Sequence, residues 1–348
     1  MEIGKAIQRV VDGRDLTVEE AECALDAIMS GQCTDAQIAC LLTALRMKGE
    51  TVEELTGFAL VMRRKVRKVT PRTVTSLFGS EEPALLDTCG TGGDMSGSFN
   101  VSTAAAFVVA GAGVRVAKHG NRSASSRCGS ADVVEALGVK LEIEPEHAAE
   151  CIDRVGIGFL HAPLLHTAMK HVAVARREMG IRTIFNALGP LTNPAAASMQ
   201  LIGVYSERLT EVVAGVLKNL GSHRALVVHG ADGMDEVTTT TRTKVTELFQ
   251  GRITTYFVTP EQYGLPLAAA EDLHGAGNAP DNAELILQVL RGYTGPRRDI
   301  VLLNAAAALL AAGRVQDLSE GIEMARRSID EGLALSKLRG LIELTNGF

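Results

Sequence analysis

Four stretches of the sequence gather residues whose types and spacing could do chemistry. The first is Asp87-Thr88-Cys89-Gly90-Thr91-Gly92-Gly93-Asp94, ahead of Asn100-Val101-Ser102-Thr103, which open a long Ala/Val-rich segment. Glycines let a backbone approach an anion closely, and a helix N-terminus presents unpaired N–H groups and a positive dipole end to it. The pattern suits phosphate or pyrophosphate. It equally suits a plain strand-to-helix turn in which Asn100 or Ser102 caps the helix. It matches neither G-x-G-x-x-G nor G-x-x-x-x-G-K-[ST], which speaks against dinucleotide binding and P-loop ATPase activity.

The second stretch, Lys118-His119-Gly120-Asn121-Arg122-Ser123-Ala124-Ser125-Ser126-Arg127-Cys128-Gly129-Ser130, places three cations, an amide and four hydroxyls within thirteen residues. The third, Arg176-Arg177-Glu178-Met179-Gly180-Ile181-Arg182-Thr183, leads into Asn186-Ala187-Leu188-Gly189-Pro190-Leu191-Thr192-Asn193-Pro194. A guanidinium fork is the usual partner of a planar carboxylate, with surface ion pairing as the ordinary alternative. The fourth, Asp232-Gly233-Met234-Asp235-Glu236, offers adjacent carboxylates suited to Mg²⁺ shared with substrate phosphates.

Positioning these groups falls to two kinds of segment. In the first seventy residues Thr17/Glu20, Thr34/Gln37 and Thr51/Glu54 each read as a capping box opening a helix, and Ile38, Leu41, Leu42 and Leu45 form one buried helical stripe. Arg63 to Lys68 read as a solvated helix end, and the stretch with Pro71 and Pro83 as a linker. From Leu85 short apolar runs alternate with helical ones. Strands are expected at Leu85-Leu86, Val114 to Ala117, Ile157 to Leu160, Leu201 to Tyr205 and Ala225 to His229, and helices from Val101 and Ser130 and over 145–154 and 207–219. That alternation predicts a mostly parallel sheet, whose strand ends bring the glycine turn and the Lys118 loop to one crevice. Val245 to Phe249 and Ile253 to Val258 flank Gln250-Gly251 as a hairpin, and two or three helices close the chain.

Composition narrows the function classes. The chain has 348 residues, 46% hydrophobic and 22% charged, enough for two domains with a sizeable core. No apolar run reaches the roughly 18 residues of a membrane span, and no signal-peptide segment opens the sequence, so a cytoplasmic protein is expected. Six scattered cysteines without a C-x-x-C pair read as reduced thiols. A net charge of −6 argues against broad nucleic-acid binding, so a polyanionic substrate needs a local cationic pocket or a metal.

Taken in order, G-T-G-G-D, N-V-S-T, K-H-G-N-R, G-S-A-D, R-x-x-x-G-I-R-T-x-F-N-x-L-G-P-L-T-N-P and D-G-x-D-E resemble the anthranilate phosphoribosyltransferase family over essentially the whole chain. The resemblance implies an α/β fold class: a small all-helical N-terminal domain plus a large α/β domain with a mostly parallel central sheet. The helical domain would be residues 1–72 with about 168–190, and the large domain residues 83–167 and 191–348. It implies contacts to phosphoribosyl pyrophosphate from Gly90, Gly93, Asp94, Ser98, Asn100, Val101, Ser102, Thr103, Lys118, His119, Gly120, Asn121, Arg122, Ser123, Ala124, Ser125, Ser126 and Ser130. Anthranilate would meet Gly90, Asn121 and Arg176, and Ser102, Asp235 and Glu236 would hold two Mg²⁺ per subunit. A homodimer through the helical domain is also implied. Ser123 to Cys128 depart from the family's commoner Ala-Val-Ser-Gly-Lys-Ser, and His161 to His166 differ somewhat from commoner members.

The expected chemistry is displacement at the ribose anomeric carbon by a neutral aromatic amine, with pyrophosphate departing. Catalysis is then mostly electrostatic, carried by Lys118, Asp235 and Glu236 with bound Mg²⁺, through an oxocarbenium-like transition state and without a covalent enzyme intermediate. The runner-up enzyme is a pyrimidine nucleoside phosphorylase, which has no need of the Asp235-Glu236 pair. A nucleic-acid-binding paralogue using Arg63 to Lys68 is the non-enzymatic rival.

Overall fold

The computed structural model describes residues 2–72, 84–122 and 128–348. Four helices come first: α1 (Ile3–Val11), α2 (Val18–Met29), α3 (Asp35–Lys48) and α4 (Val52–Lys65). Thr17, Thr34 and Thr51 cap the last three, each accepting the backbone N–H of Glu20, Gln37 or Glu54 while that residue's side chain answers the cap's own N–H. These are the boxes read in the sequence, and the stripe Ile38, Leu41, Leu42 and Leu45 is buried.

The chain then alternates: β1 (Leu86–Gly90), α5 (Val101–Gly111), β2 (Val116–Gly120), α6 (Ser130–Ala136), α7 (Pro145–Val155), β3 (Ile157–His161) and the short α8 (Ala162–Leu165). Helices α9 (Lys170–Met179) and α10 (Ile184–Leu191) follow, then β4 (Met199–Gly203), α11 (Leu209–Asn219), β5 (Arg224–Gly230), β6 (Thr243–Phe249) and β7 (Arg252–Val258). Four helices close the described chain, not two or three: α12 (Ala279–Leu290), α13 (Pro296–Ala311), α14 (Leu318–Asp330) and α15 (Leu333–Asn346).

The strands join in the order β3-β2-β1-β4-β5-β6-β7. The first five are parallel, and β6 and β7 run antiparallel at one edge. Gln250 and Gly251 both take positive φ, 48° and 74°, the conformation a two-residue hairpin turn of this hand requires. Alternation along the strands divides the core: Leu201, Leu226 and Val228 pack with α5 and α13, while Ile202, Ala225 and Val227 pack with α4, α10 and α11. Val172 and Ala175 of α9 join the second cluster beside the N-terminal helices.

Two strands run further than their apolar runs suggested. β1 continues through Asp87 to Gly90, and β2 begins at Val116 and carries Lys118, His119 and Gly120 within the strand instead of in the loop. Apolar runs mark only the fully greasy part of a strand. Asp87, Thr88 and Lys118 remain in the ladder because each is buried with hydrogen-bond partners.

Candidate active site

Strand order changes direction at β1: β2 and β3 extend to one side, β4 and β5 to the other. At such a switch point the loops leaving neighbouring strands part and open a crevice. The loops after β1 and β5 meet here. A Cβ at Gly90, the last residue of β1, would strike the Asp235 carboxylate, and one at Gly203, the last of β4, would fall on the Asp235 backbone carbonyl. Two adjacent strands therefore end in glycine because Asp235 lies across their tips.

Hydrogen bonds lock this arrangement. The Gly92 N–H donates to Asp235 Oδ2 at 2.8 Å, and the Asp235 N–H donates to Asp94 Oδ2 at 3.4 Å. In the first turn of α5 the Ser102 N–H donates to Glu236 Oε1 at 3.2 Å. Lys118, only 3% exposed, donates from Nζ to the Thr88 carbonyl at 2.6 Å and to Ser102 Oγ at 3.4 Å. Asp94, Ser102, Lys118, Asp235 and Glu236, distant in sequence, thus share one site.

The electrostatics follow from desolvation. Burial, then the neighbouring Asp94, pushes the Asp235 carboxyl up to about 7. Glu236 is raised well above the usual carboxylate range by burial and then by Asp235. Burial lowers Lys118, opposed by Asp87, Cys89 and Glu236. Three carboxyls crowd beside one ammonium, and added cationic charge would relieve them. Among the described residues no three His, Cys, Asp or Glu side chains close around a metal by themselves. The adjacent Asp235 and Glu236 carboxyls with the Ser102 hydroxyl suit Mg²⁺, which is commonly held by one or two carboxylates with substrate phosphates and water completing its shell.

The other expected contact residues lie on β1, α5, β2, α6 and the segments between them. Ser98 forms an isolated bridge with His274, and its hydroxyl accepts from Ser96 Oγ at 3.2 Å. Asn100 Nδ2 donates to the Cys128 carbonyl at 3.4 Å, while Val101 is fully buried. The buried Thr103 hydroxyl has no hydrogen-bond partner among the described residues. Gly120 has no room for a Cβ, which would lie 2.5 Å from both the Phe159 ring and Ser130 Oγ. The Asn121 carbonyl accepts the Ala131 N–H at 3.2 Å, and Ser130 Oγ approaches it at 3.4 Å. Arg122 pairs with Asp132 at 3.0 Å and Glu135 at 2.8 Å on the exposed face of α6. Ser123, Ala124, Ser125 and Ser126 lie outside the described residues.

His119 Nδ1 lies 3.3 Å from the Gly189 carbonyl and its ring 5.0 Å from that of His166. Burial lowers His119 to about 3 and His166 to about 4, so both imidazoles are neutral at pH 7. Arg176, in the last turn of α9, sits 5.2 Å from the Phe185 ring centroid, and it has no ion-pair partner among the described residues. A half-buried guanidinium so placed can receive a carboxylate.

Comparison with known proteins places the chain in a family. A family profile described as the helical bundle domain of a glycosyl transferase family matches residues 5–66, and one described as its a/b domain matches residues 82–335. Anthranilate phosphoribosyltransferase of Acetivibrio thermocellus is 54% identical over 344 residues, 99% of this chain and 97% of that protein. That of Moorella thermoacetica is 56% identical, covering 97% and 96%. The chain belongs to the anthranilate phosphoribosyltransferase family.

Solved structures of the family agree in shape. The Thermus thermophilus anthranilate phosphoribosyltransferase superposes with a TM-score of 0.90 at 42% identity, covering 98% of this chain and 99% of that one. The Saccharomyces cerevisiae anthranilate phosphoribosyltransferase, solved in complex with phosphoribosyl pyrophosphate and Mg, gives 0.88 at 28% identity, covering 99% and 98%. Another structure of the yeast protein holds 4-fluoroanthranilate.

Several residues that build the site in this family member were not singled out from its sequence. Asp87 accepts the His119 N–H at 3.2 Å and Asn193 Nδ2 at 2.8 Å, tying β1, β2 and the segment after α10 together. Gly203 admits Asp235, and Tyr205 donates its N–H to Thr91 Oγ1 at 3.0 Å. A glycine inside the expected strand Leu201 to Tyr205, where another backbone can approach closely, was the available signal for Gly203. Arg182, which stood only as an alternative carboxylate partner, instead reaches the Gly93 carbonyl and the Tyr205 ring.

Proposed function

We infer that this chain is an enzyme of tryptophan biosynthesis that transfers the phosphoribosyl group of phosphoribosyl pyrophosphate to the amine of anthranilate, giving N-(5'-phosphoribosyl)anthranilate and pyrophosphate. One observation carries the reading: Asp94, Ser102, Lys118, Asp235 and Glu236 converge on the glycine turn at the sheet's switch point. Phosphoribosyl pyrophosphate lies along the turn and the N-terminus of α5, in reach of Gly90, Gly93, Ser98, Asn100, Thr103, Lys118 and Ser130. The buried Lys118 ammonium meets charge developing on the leaving pyrophosphate, in a site where desolvation strengthens the attraction.

Mg²⁺ supplies further positive charge to that leaving group when bound. Ser102, Asp235 and Glu236 would hold it, two ions per subunit in this reading. Asn121 and Arg176 hold the acceptor so that its amine faces the anomeric carbon. The neutral His119 and His166 add no charge of their own. The amine needs no base to become a nucleophile, because it is already neutral at pH 7.

The helical unit in this reading comprises residues 1–72 and 168–190, supported by Val172, Ala175, Ile184 and Leu188 packing in one cluster with Leu25, Leu41 and Phe58. A homodimer through that unit and residence in the cytoplasm complete the reading. No helix of the described residues is long and apolar enough to cross a membrane.

Product analysis tests the function against its rival. Phosphoribosyl pyrophosphate and anthranilate should yield pyrophosphate and the phosphoribosylated amine in equal amounts, and thymidine with inorganic phosphate should be left intact. Cleavage of thymidine without consumption of anthranilate would establish the nucleoside phosphorylase instead.

A further inference from the structure

Arg182 lies between α9 and α10, where the helical part of the chain meets the crevice. Its Nη2 donates to the Gly93 carbonyl, and its guanidinium carbon is 4.8 Å from the Tyr205 ring centroid. A Cβ built on Gly93 would stand 3.4 Å from Arg182 Nε, so the arginine covers one side of the turn. Gly92 and Gly93 both have positive φ, 65° and 71°, a conformation open to glycine at little cost.

That freedom has a consequence for binding. The Gly93 carbonyl and the Asp94 N–H belong to one planar trans peptide and point to opposite edges of it. Holding the oxygen toward Arg182 turns the N–H away from Arg182. If this peptide rotated, the turn would present an electron-rich oxygen where a phosphate needs a donor. The Gly92 N–H is already anchored on Asp235, so with the arginine the peptides on both sides of the Gly92–Gly93 peptide are pinned.

The same contact reaches back into the helical bundle. Arg46 of α3 lies within electrostatic reach of the Tyr205 hydroxyl, and the Tyr205 N–H holds Thr91, the first residue of the turn. Contacts then run from Tyr205 through Arg182 to Gly93. We propose that Arg182 is a positioning residue that holds the glycine turn in its anion-binding form, with Tyr205 tying that form to the helical bundle. The proposal rests on the reading of the turn as the phosphoribosyl pyrophosphate cradle.

Calorimetric titration of the full chain with phosphoribosyl pyrophosphate and Mg²⁺, without anthranilate, tests it. Arg182→Ala should bind roughly 10- to 150-fold more weakly, the range expected for loss of one charge-assisted hydrogen bond. Arg182→Lys should recover part of the loss, since an ammonium can still donate to the carbonyl but cannot lie flat on Tyr205. With phosphoribosyl pyrophosphate saturating, KM for anthranilate should stay within about twofold of wild type. Wild-type affinity in a folded Arg182→Ala or Arg182→Gln chain would overturn the proposal. So would a raised KM for anthranilate with unchanged phosphoribosyl pyrophosphate affinity, which would make Arg182 the carboxylate partner. Wild-type protein that fails to bind phosphoribosyl pyrophosphate would overturn the reading of the crevice itself, an outcome distinct from both.

Discussion

Asp235 and Glu236 carry the strongest electrostatic signature of the site. Desolvation raises both carboxyls, Asp94 adds to the rise of Asp235, and Asp235 to that of Glu236, so the fold holds them against their own preference for water. Asp235→Asn with Glu236→Gln should therefore abolish turnover while leaving the thermal melt unchanged or slightly higher, because amides carry none of the desolvation cost of buried carboxylates. A large fall in melting temperature would show that the acids are needed for the fold instead. Arg176 belongs to the same scale. With Phe185 beneath it and no ion-pair partner among the described residues, its guanidinium is available to the anthranilate carboxylate. Arg176→Ala should lower kcat/KM for anthranilate roughly 10- to 150-fold and leave phosphoribosyl pyrophosphate affinity nearly unchanged. It should also lose most of the wild-type preference for anthranilate over aniline, and a variant that discriminates as well as wild type would move the carboxylate partner elsewhere.

At the scale of elements, much was readable from local chemistry. Thr17, Thr34 and Thr51 announce their helices through contacts three residues away, and Gln250-Gly251 announces its hairpin through the φ values it permits. The glycine turn between β1 and α5 was readable, but its fastenings were not. Gly203 beneath Asp235 and Arg182 on Gly93 are contacts between segments far apart in sequence, set by how the β4 tip and the α9–α10 joint come together, and no local period encodes them. Two glycines separate the binding role from the packing role. At Gly92 a Cβ would meet nothing within 4 Å, yet φ is +65°. Gly92→Val should fold with a modest backbone penalty and lose phosphoribosyl pyrophosphate binding. Gly203→Ala forces the Asp235 backbone to move, and such overpacking typically costs about 1–3 kcal/mol. It should lower the melting temperature as well as activity. Equal melts for the two variants, or full affinity in Gly92→Val, would contradict this division.

For the whole molecule, a net charge of −6 gives no overall basic surface, and the positive charge at the crevice is the buried Lys118. The neutral histidines give the fold a pH dependence with a definite sign. His166 falls from an ordinary 6.5 to about 4, so between those values the unfolded chain binds a proton that the folded chain refuses. Its contribution is lost as pH falls through that window, whereas Asp235, raised to about 7, is protonated in the fold and favours it toward acid. Comparison with His166→Phe isolates the first effect. The stability of the variant relative to wild type should rise by about 2 kcal/mol between pH 7.5 and 5, and a constant difference would contradict the neutral state of His166. The central claim, that this crevice joins phosphoribosyl pyrophosphate to anthranilate with the departing charge met by Mg²⁺ that Asp235 and Glu236 would hold, is tested most directly by one progress curve. Anthranilate fluorescence is followed with enzyme, phosphoribosyl pyrophosphate and Mg²⁺, and EDTA and then excess Mg²⁺ are added during the reaction. The signal should fall, stop falling with EDTA and resume with Mg²⁺; a signal that never falls, or one that keeps falling at full rate in EDTA, would contradict the account.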